Sequence, residues 1–111
     1  MHPSDIQVHW RDEHFLEVRN GSAETLLRVR VVVVGARVRG RRDWHEDVAS
    51  MRPGQAVTVN RLELRGLASV KVRWRLSLAH DAPWLWVEVP VPERPQRVPG
   101  EGVPLGQRPR K

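Results

Sequence analysis

A chain of 111 residues, 40 % hydrophobic and 29 % charged, has the make-up of one globular domain large enough to bury a core. It has no cysteine, which excludes disulfides, iron–sulfur clusters and thiolate zinc sites. Nineteen Lys and Arg stand against thirteen Asp and Glu, a net charge of +6, and only Lys71 and Lys111 are lysines. Such a balance speaks of anionic partners and of solubility, not of fold.

The opening Met-His-Pro-Ser-Asp offers neither a positive n-region nor an apolar h-region, and no run reaches the roughly 18 apolar residues of a membrane span. The expectation is a cytoplasmic protein with no membrane partner.

In chain order, Ile6, Val8 and Trp10 alternate with Gln7 and His9, which predicts a half-buried strand over residues 5–11. Asp12-Glu13 reads as a polar turn. Phe15–Arg19 is a second strand, and Asn20-Gly21-Ser22 after it carries the strongest short hairpin signal, since Asn and Gly both accept a positive φ.

The stretch Leu26–Val34, with four consecutive valines, is the central strand of the reading. β-branched residues in succession crowd a helix and suit a pleated surface. Leu27, Val29, Val31 and Val33 form a continuous apolar face; the opposite face begins with Arg28 and Arg30 and ends with Val32 and Val34. That pattern predicts half cover at one end and full cover at the other. Gly35 is expected to break the strand. Residues 35–47 read as a loop or a short charged edge strand, with Trp44 and Val48 returning to the core.

Met51-Arg52-Pro53-Gly54 is a tight turn, after which Val57 and Val59 begin another strand. Leu62 and Leu64 continue it on the other parity, which requires a bulge or a break near Asn60. Val70–Leu78 alternates without exception: Val70, Val72, Trp74, Leu76 and Leu78 against Lys71, Arg73, Arg75 and Ser77. The predicted core therefore includes Val29, Val31, Val72, Trp74 and Leu76. His80–Pro83 turns the chain into a last strand, Trp84–Val91, with Leu85, Val87, Val89 and Val91 on one face and Trp84, Trp86 and Glu88 on the other.

Six of the nine prolines fall within the last 22 residues. The division is thus a β-sandwich domain over 1–91 and a Pro/Gly/Arg-rich tail over 92–111, extended and polyproline-like. Six or seven short strands with frequent turn signals and no helical pattern predict an all-β fold, an antiparallel sandwich of two sheets.

Phe15-x-x-Val18-x-Asn20-Gly21, followed by the valine-rich strand, resembles the early strand pair of bacterial immunoglobulin-like and fibronectin-III-like domains. Met51-x-Pro53-Gly54-x-x-Val57 is similar to the apolar-x-Pro-Gly turn in such modules. The resemblance spans roughly residues 5–91. It departs from the antibody type, having no Cys pair and no Trp in the central strand. A fold of this kind hosts many functions and assigns none.

Catalytic and metal chemistry finds little support. His9, His14 and His45 lack metal-ligand spacing, and no His-Glu-x-x-His is present. No Gly-x-Ser-x-Gly occurs, and Gly35–Gly40 lacks the Lys-Ser/Thr ending of a phosphate-binding loop. The expectation is a non-enzyme with no cofactor and no metal.

The resemblance implies that the central strand pairs with Val70–Leu78, as the third and sixth strands do in immunoglobulin-like sandwiches. Arg28, Arg30, Lys71, Arg73 and Arg75 would then share one outer face, with Trp84 and Trp86 beside them. Arg over Trp is a favourable cation–π arrangement. In the competing reading, Trp84 and Trp86 are core residues and the cations are an ordinary solvated sheet face. Two functions stay open: a protein-interaction or assembly module whose tail docks on a neighbouring subunit, or a nucleic-acid-binding domain using the basic face and cationic tail.

Overall fold

The computed structural model of the chain describes residues 5–95. Seven strands form two antiparallel sheets: β1 (Ile6–Trp10), β2 (Phe15–Asn20), β3 (Leu26–Val38), β4 (His45–Met51), β5 (Ala56–Asn60), β6 (Leu62–Arg75) and β7 (Leu85–Pro90). One sheet has the order β1-β2-β5 and the other β4-β3-β6-β7, with no α-helix among the described residues.

Both sheets feed one core. Ile6, Leu16, Val18, Val57 and Val59 of the smaller sheet join Val29, Val31, Val33, Val70, Val72 and Trp74 of the larger. The alternation that predicted these strands thus aims one parity of each sheet at the other. Trp44 and Val48 are half-buried against this core, as the sequence suggests.

Several sequence expectations give way at bends. Asn20-Gly21 does not close a hairpin, because β2 and β3 lie in different sheets. Asn20 is instead fully buried and tied on every side. Its Nδ2 donates to the carbonyls of Glu24 and Met51, and its Oδ1 accepts from the Ser22 amide and hydroxyl. Gly21 is needed for proximity rather than for a positive φ: a Cβ there would stand 2.8 Å from the Asp5 carbonyl oxygen. The Pro-Gly turn runs from Arg52 to Gln55, closed by Gln55 N–H to Arg52 O at 2.9 Å, with Gly54 at φ 83°. That is a type II arrangement, which puts glycine where φ is positive.

Gly35 bulges β3 rather than ending it. It takes φ 83° at a register shift between Val34 and Ala36, and the strand continues to Val38, which is buried. Residues 35–47 therefore belong to two strands and a turn. A second bulge sits at Arg28, φ 50°, at the register shift between Leu27 and Arg30. It puts Leu27 opposite Arg75 on the outer face and hands its expected core place to Leu26. The outer face is not covered at the valine end either, since Val34 is exposed.

Of the bulge or break expected near Asn60, the structure has the break, so Leu62 and Leu64 do not prolong β5. Arg61, at φ 57°, turns the chain across to the other sheet, and they open β6. At its far end β6 stops at Arg75, so Leu76 is 38 % exposed and is not core. Beyond β7, residues 92–95 lie along the sandwich. Trp10 Nε1 donates to Pro92 O at 2.8 Å, the Arg94 guanidinium covers the Trp10 ring at 4.7 Å, and Arg94 Nη2 donates to Leu62 O. The division at Val91 thus falls inside a packed segment; the rest of the predicted tail lies outside the described residues.

Candidate binding face

The central pair β3–β6 has flanking strands on both sides, so side chains of one parity from four strands meet on the outer face. Register brings them into rows. One row reads Asp47, Arg30, Arg73, Trp86 from β4 to β7; the next reads His45, Val32, Lys71, Glu88. Arg75 stands opposite Leu27. Arg28 projects from its bulge and lines, with Arg30, Arg73 and Arg75, an open cleft of about 620 Å³. All five cations and both tryptophans of the sequence reading are therefore placed in one neighbourhood.

Trp84 and Trp86 are 45 % and 61 % exposed, while Leu85, Val87, Val89 and Val91 turn inward against the core. The reading that buried the two indoles is corrected. The cause is parity: Trp86 faces the same way as its partner Arg73, whose neighbours Val72 and Trp74 fill the core.

The exposed indoles and the cations interleave. Arg75 and Arg73 approach the Trp84 ring at 5.2 and 4.5 Å, and the Lys71 ammonium approaches the Trp86 ring at 4.8 Å. Each contact places a cation over a ring face, where the quadrupole attracts it. A stacked guanidinium keeps its N–H edge free, the edge that grips carboxylates in bidentate fashion.

The cations are not equivalent. Arg30 is taken: its Nε and Nη2 donate to Asp47 at 2.7 and 2.9 Å. That hydrogen-bonded pair holds the Asp47 carboxyl below its ordinary value and pushes Arg30 up. Asp47 also relieves the like-charge contact between Arg30 and Arg73. Arg75 is structural, with Nη2 donating to the carbonyls of Ala79 and Ala82 at 2.6 and 2.8 Å and so shaping the β6–β7 connection. Lys71, Arg73 and Arg28 are left for a ligand.

Sequence reasoning left Asp47 within a loop or short charged edge strand over residues 35–47 and missed its place in the row. Only the β3–β4 register reveals it. Leu78, 61 % exposed, and His80 also border the cleft. Their signal was the end of the strand at Arg75, masked by continued alternation through Leu78.

The opposite sheet carries a smaller cluster. The Glu17 carboxylate meets Arg19 Nη2 at 3.0 Å, His9 Nε2 at 3.1 Å and Arg11 Nη1 at 3.9 Å. The Arg19 hydrogen bond is the chief cause holding its carboxyl low. The His9 contact ties β1 to β2 at the Glu17 carboxylate. Among the described residues, no three His, Asp or Glu side chains are placed to hold a metal ion, and no helix is long and apolar enough to cross a membrane.

No family model matches the chain, and no curated protein or solved structure does.

Proposed function

We propose that the protein is a non-catalytic interaction module of immunoglobulin or fibronectin-III type, which receives an acidic segment of a partner protein on the outer face of its four-stranded sheet. The strand order supports the fold-type reading: β3 and β6 are central neighbours with β7 beside β6, as the C, F and G strands are in immunoglobulin domains.

The cation–indole ladder of Arg75, Trp84, Arg73, Trp86 and Lys71 carries the functional reading. Trp and Arg are the residues that anchor protein interfaces. Here they border a cleft shared with exposed Leu78, so apolar area and N–H donors lie side by side. The same ladder speaks against base stacking at this face. Trp84 is met by two guanidinium groups, which occupy ring surface that a stacked base would need.

Titration with an Asp/Glu-rich peptide, followed by indole fluorescence, tests the reading. Exchanging Lys71 and Arg73 together for Gln is expected to weaken binding at least tenfold while leaving the unfolding transition in place. Equal binding by wild type and a folded variant would overturn it.

A further inference from the structure

The ladder occupies one end of the larger sheet; the other end gathers arginines that it does not use. β3 carries Arg37 next to its last residue, the turn into β4 holds Arg39, Arg41 and Arg42, the crossing into β6 supplies Arg61, and β6 itself supplies Arg65. Register and backbone bonds bring them together. Arg37 pairs with Glu63, Val38 bridges Arg41, and Arg39 N–H donates to Arg61 O at 3.0 Å. Along β6 the nearest members of the two sets, Arg65 and Lys71, are six residues apart, roughly 20 Å of strand, so this is a different surface from the ladder.

We propose that this arginine-rich end is a separate site for the sugar–phosphate backbone of duplex nucleic acid, bound without regard to sequence. The charge excess is local. Against six arginines stand Asp43 (3.6 Å from Arg41), Glu63 (4.0 Å from Arg65) and Glu13, which lines a depression together with Arg61. Arg37, Arg42 and Arg61 have no carboxylate within ion-pair distance among the described residues. Arg39 is oriented by a neutral partner, its Nε and Nη2 donating to Asn60 Oδ1 at 3.0 and 2.9 Å, so its charge is fixed in place without being cancelled.

Two further features fit a backbone ligand. Arg37, Arg42 and Arg65 rim a depression whose floor is Gly35 and Ala36, where short side chains let a phosphate come close. And Arg39 and Arg61 occupy left-handed backbone, φ 53° and 57°, that glycine would adopt without strain. An arginine there adds a guanidinium at the expense of conformational ease, and local strain of this kind clusters at working sites.

The nearby rings, Trp44 and Phe15, are half-buried, which leaves no platform for stacking single-stranded bases. One apolar side chain, Leu67, stands fully exposed two residues after Arg65. It makes an anionic membrane the rival for this surface, and a vesicle arm separates the two. The inference stands independently of the ladder.

The test is fluorescence anisotropy of the full chain with two labelled DNA duplexes of unrelated sequence, from about 50 to 200 mM salt. Both duplexes are expected to bind alike, with log affinity falling against log salt by about one unit per phosphate engaged. The variant Arg37→Gln/Arg42→Gln/Arg61→Gly/Arg65→Gln is expected to lose at least tenfold at low salt, with a slope shallower by about one unit per arginine removed. Its unfolding transition should match wild type. The ladder variant Lys71→Gln/Arg73→Gln is expected to keep duplex binding within twofold. The proposal fails if neither duplex binds at low salt, if the ladder variant alone abolishes binding, or if phosphatidylserine vesicles bind and DNA does not.

Discussion

The two halves of β6 carry cations to opposite ends of one sheet by different means. From Val70 to Arg75 the strand is regular, with Val70, Val72 and Trp74 buried and Lys71 and Arg73 presented outward against Trp86 and Trp84. From Leu62 to Ala68 it is not. Register with β3 jumps from Ala36–Leu64 to Val34–Ser69, Gly66 sits at φ 132°, and Leu67 has no cover. In the regular half, cations stand on a rigid ladder set by alternation. In the irregular half, the chain bends so that turns and crossings crowd guanidinium groups into one place. A regular strand fixes where a charge points; a bent one gathers charges that are distant in sequence.

The largest effect should come from breaking the regular half at its base. Trp74 is buried and its truncation to Ala is expected to cost about 3–5 kcal/mol, measured by urea unfolding. Its Nε1 finds no hydrogen-bond partner among the described residues, so Trp74→Phe should cost far less by removing an unpaired donor along with the ring volume. A truncation without effect would disprove the inward parity of 70, 72 and 74, and with it the outward parity of the ladder.

In the irregular half the comparable lesion is backbone. A Cβ on Gly35 would stand 2.5 Å from the Leu67 carbonyl oxygen, on a residue already at φ 83°. Gly35→Ala is expected to cost about 2 kcal/mol, since both the left-handed backbone and the close approach must yield. A neutral outcome would mean that the bulge is not where β3 and β6 are held together.

The same half is strapped from outside. Truncation after Val91 removes the Pro92 carbonyl that takes the Trp10 N–H and the Arg94 side chain that reaches Leu62 O. A loss of about 1–2 kcal/mol in thermal or urea unfolding is expected, by the usual worth of such hydrogen bonds and ring cover. Truncation after Pro95 should cost less. If the two truncations behave alike, residues 92–95 contribute nothing to the fold.

What could be read from the sequence follows the same division. Val70–Arg75 was legible because period-two alternation is a property of side chains alone, and it placed Lys71, Arg73 and Arg75 correctly. Leu76 was misassigned because alternation continues past the point where β3 ceases to offer a partner. Leu27 and Gly35 were misplaced because a bulge reverses parity at a single backbone dihedral, whereas the parity change at Leu62 did announce the break that falls at Arg61. Among the described residues, the three non-glycine residues at positive φ are all arginines, Arg28, Arg39 and Arg61, which carry no sequence signal for a bend. The ladder was anticipated as a set of residues, while the arginine-rich end became visible only when Arg61 and Arg65 were folded back beside Arg37 and Arg42.

A smaller effect separates the halves by pH. Asp47, paired with Arg30 in the regular half, has its carboxyl held below the ordinary 3.8, chiefly by the Arg30 hydrogen bond. A depressed native value contributes stability that is fully present above the unfolded value and is lost as pH falls through the native one. The pair is half exposed, so its share is modest. Asp47→Asn should flatten the stability curve slightly below about pH 4 and leave its shape at neutral pH unchanged. A steeper acid limb in the variant would contradict the pairing.

The smallest expected effect is the most pointed for the irregular half. Arg61 is exposed, lies at φ 57° and, through its carbonyl, accepts the Arg39 amide, a bond that any residue at this position can make. Glycine adopts this conformation without the steric penalty of a Cβ, but it adds freedom to the unfolded chain, and the two terms oppose each other. Arg61→Gly is therefore expected to shift stability by no more than about 0.5 kcal/mol in either direction. Urea midpoints of wild type and variant, measured side by side, check it. A loss well beyond that range would show that the guanidinium itself holds the β5–β6 crossing together, and would give the strained arginine a structural reason to be there. Near-equality leaves the fold indifferent to the side chain, so that its charge is what distinguishes it from the glycine the backbone would otherwise favour.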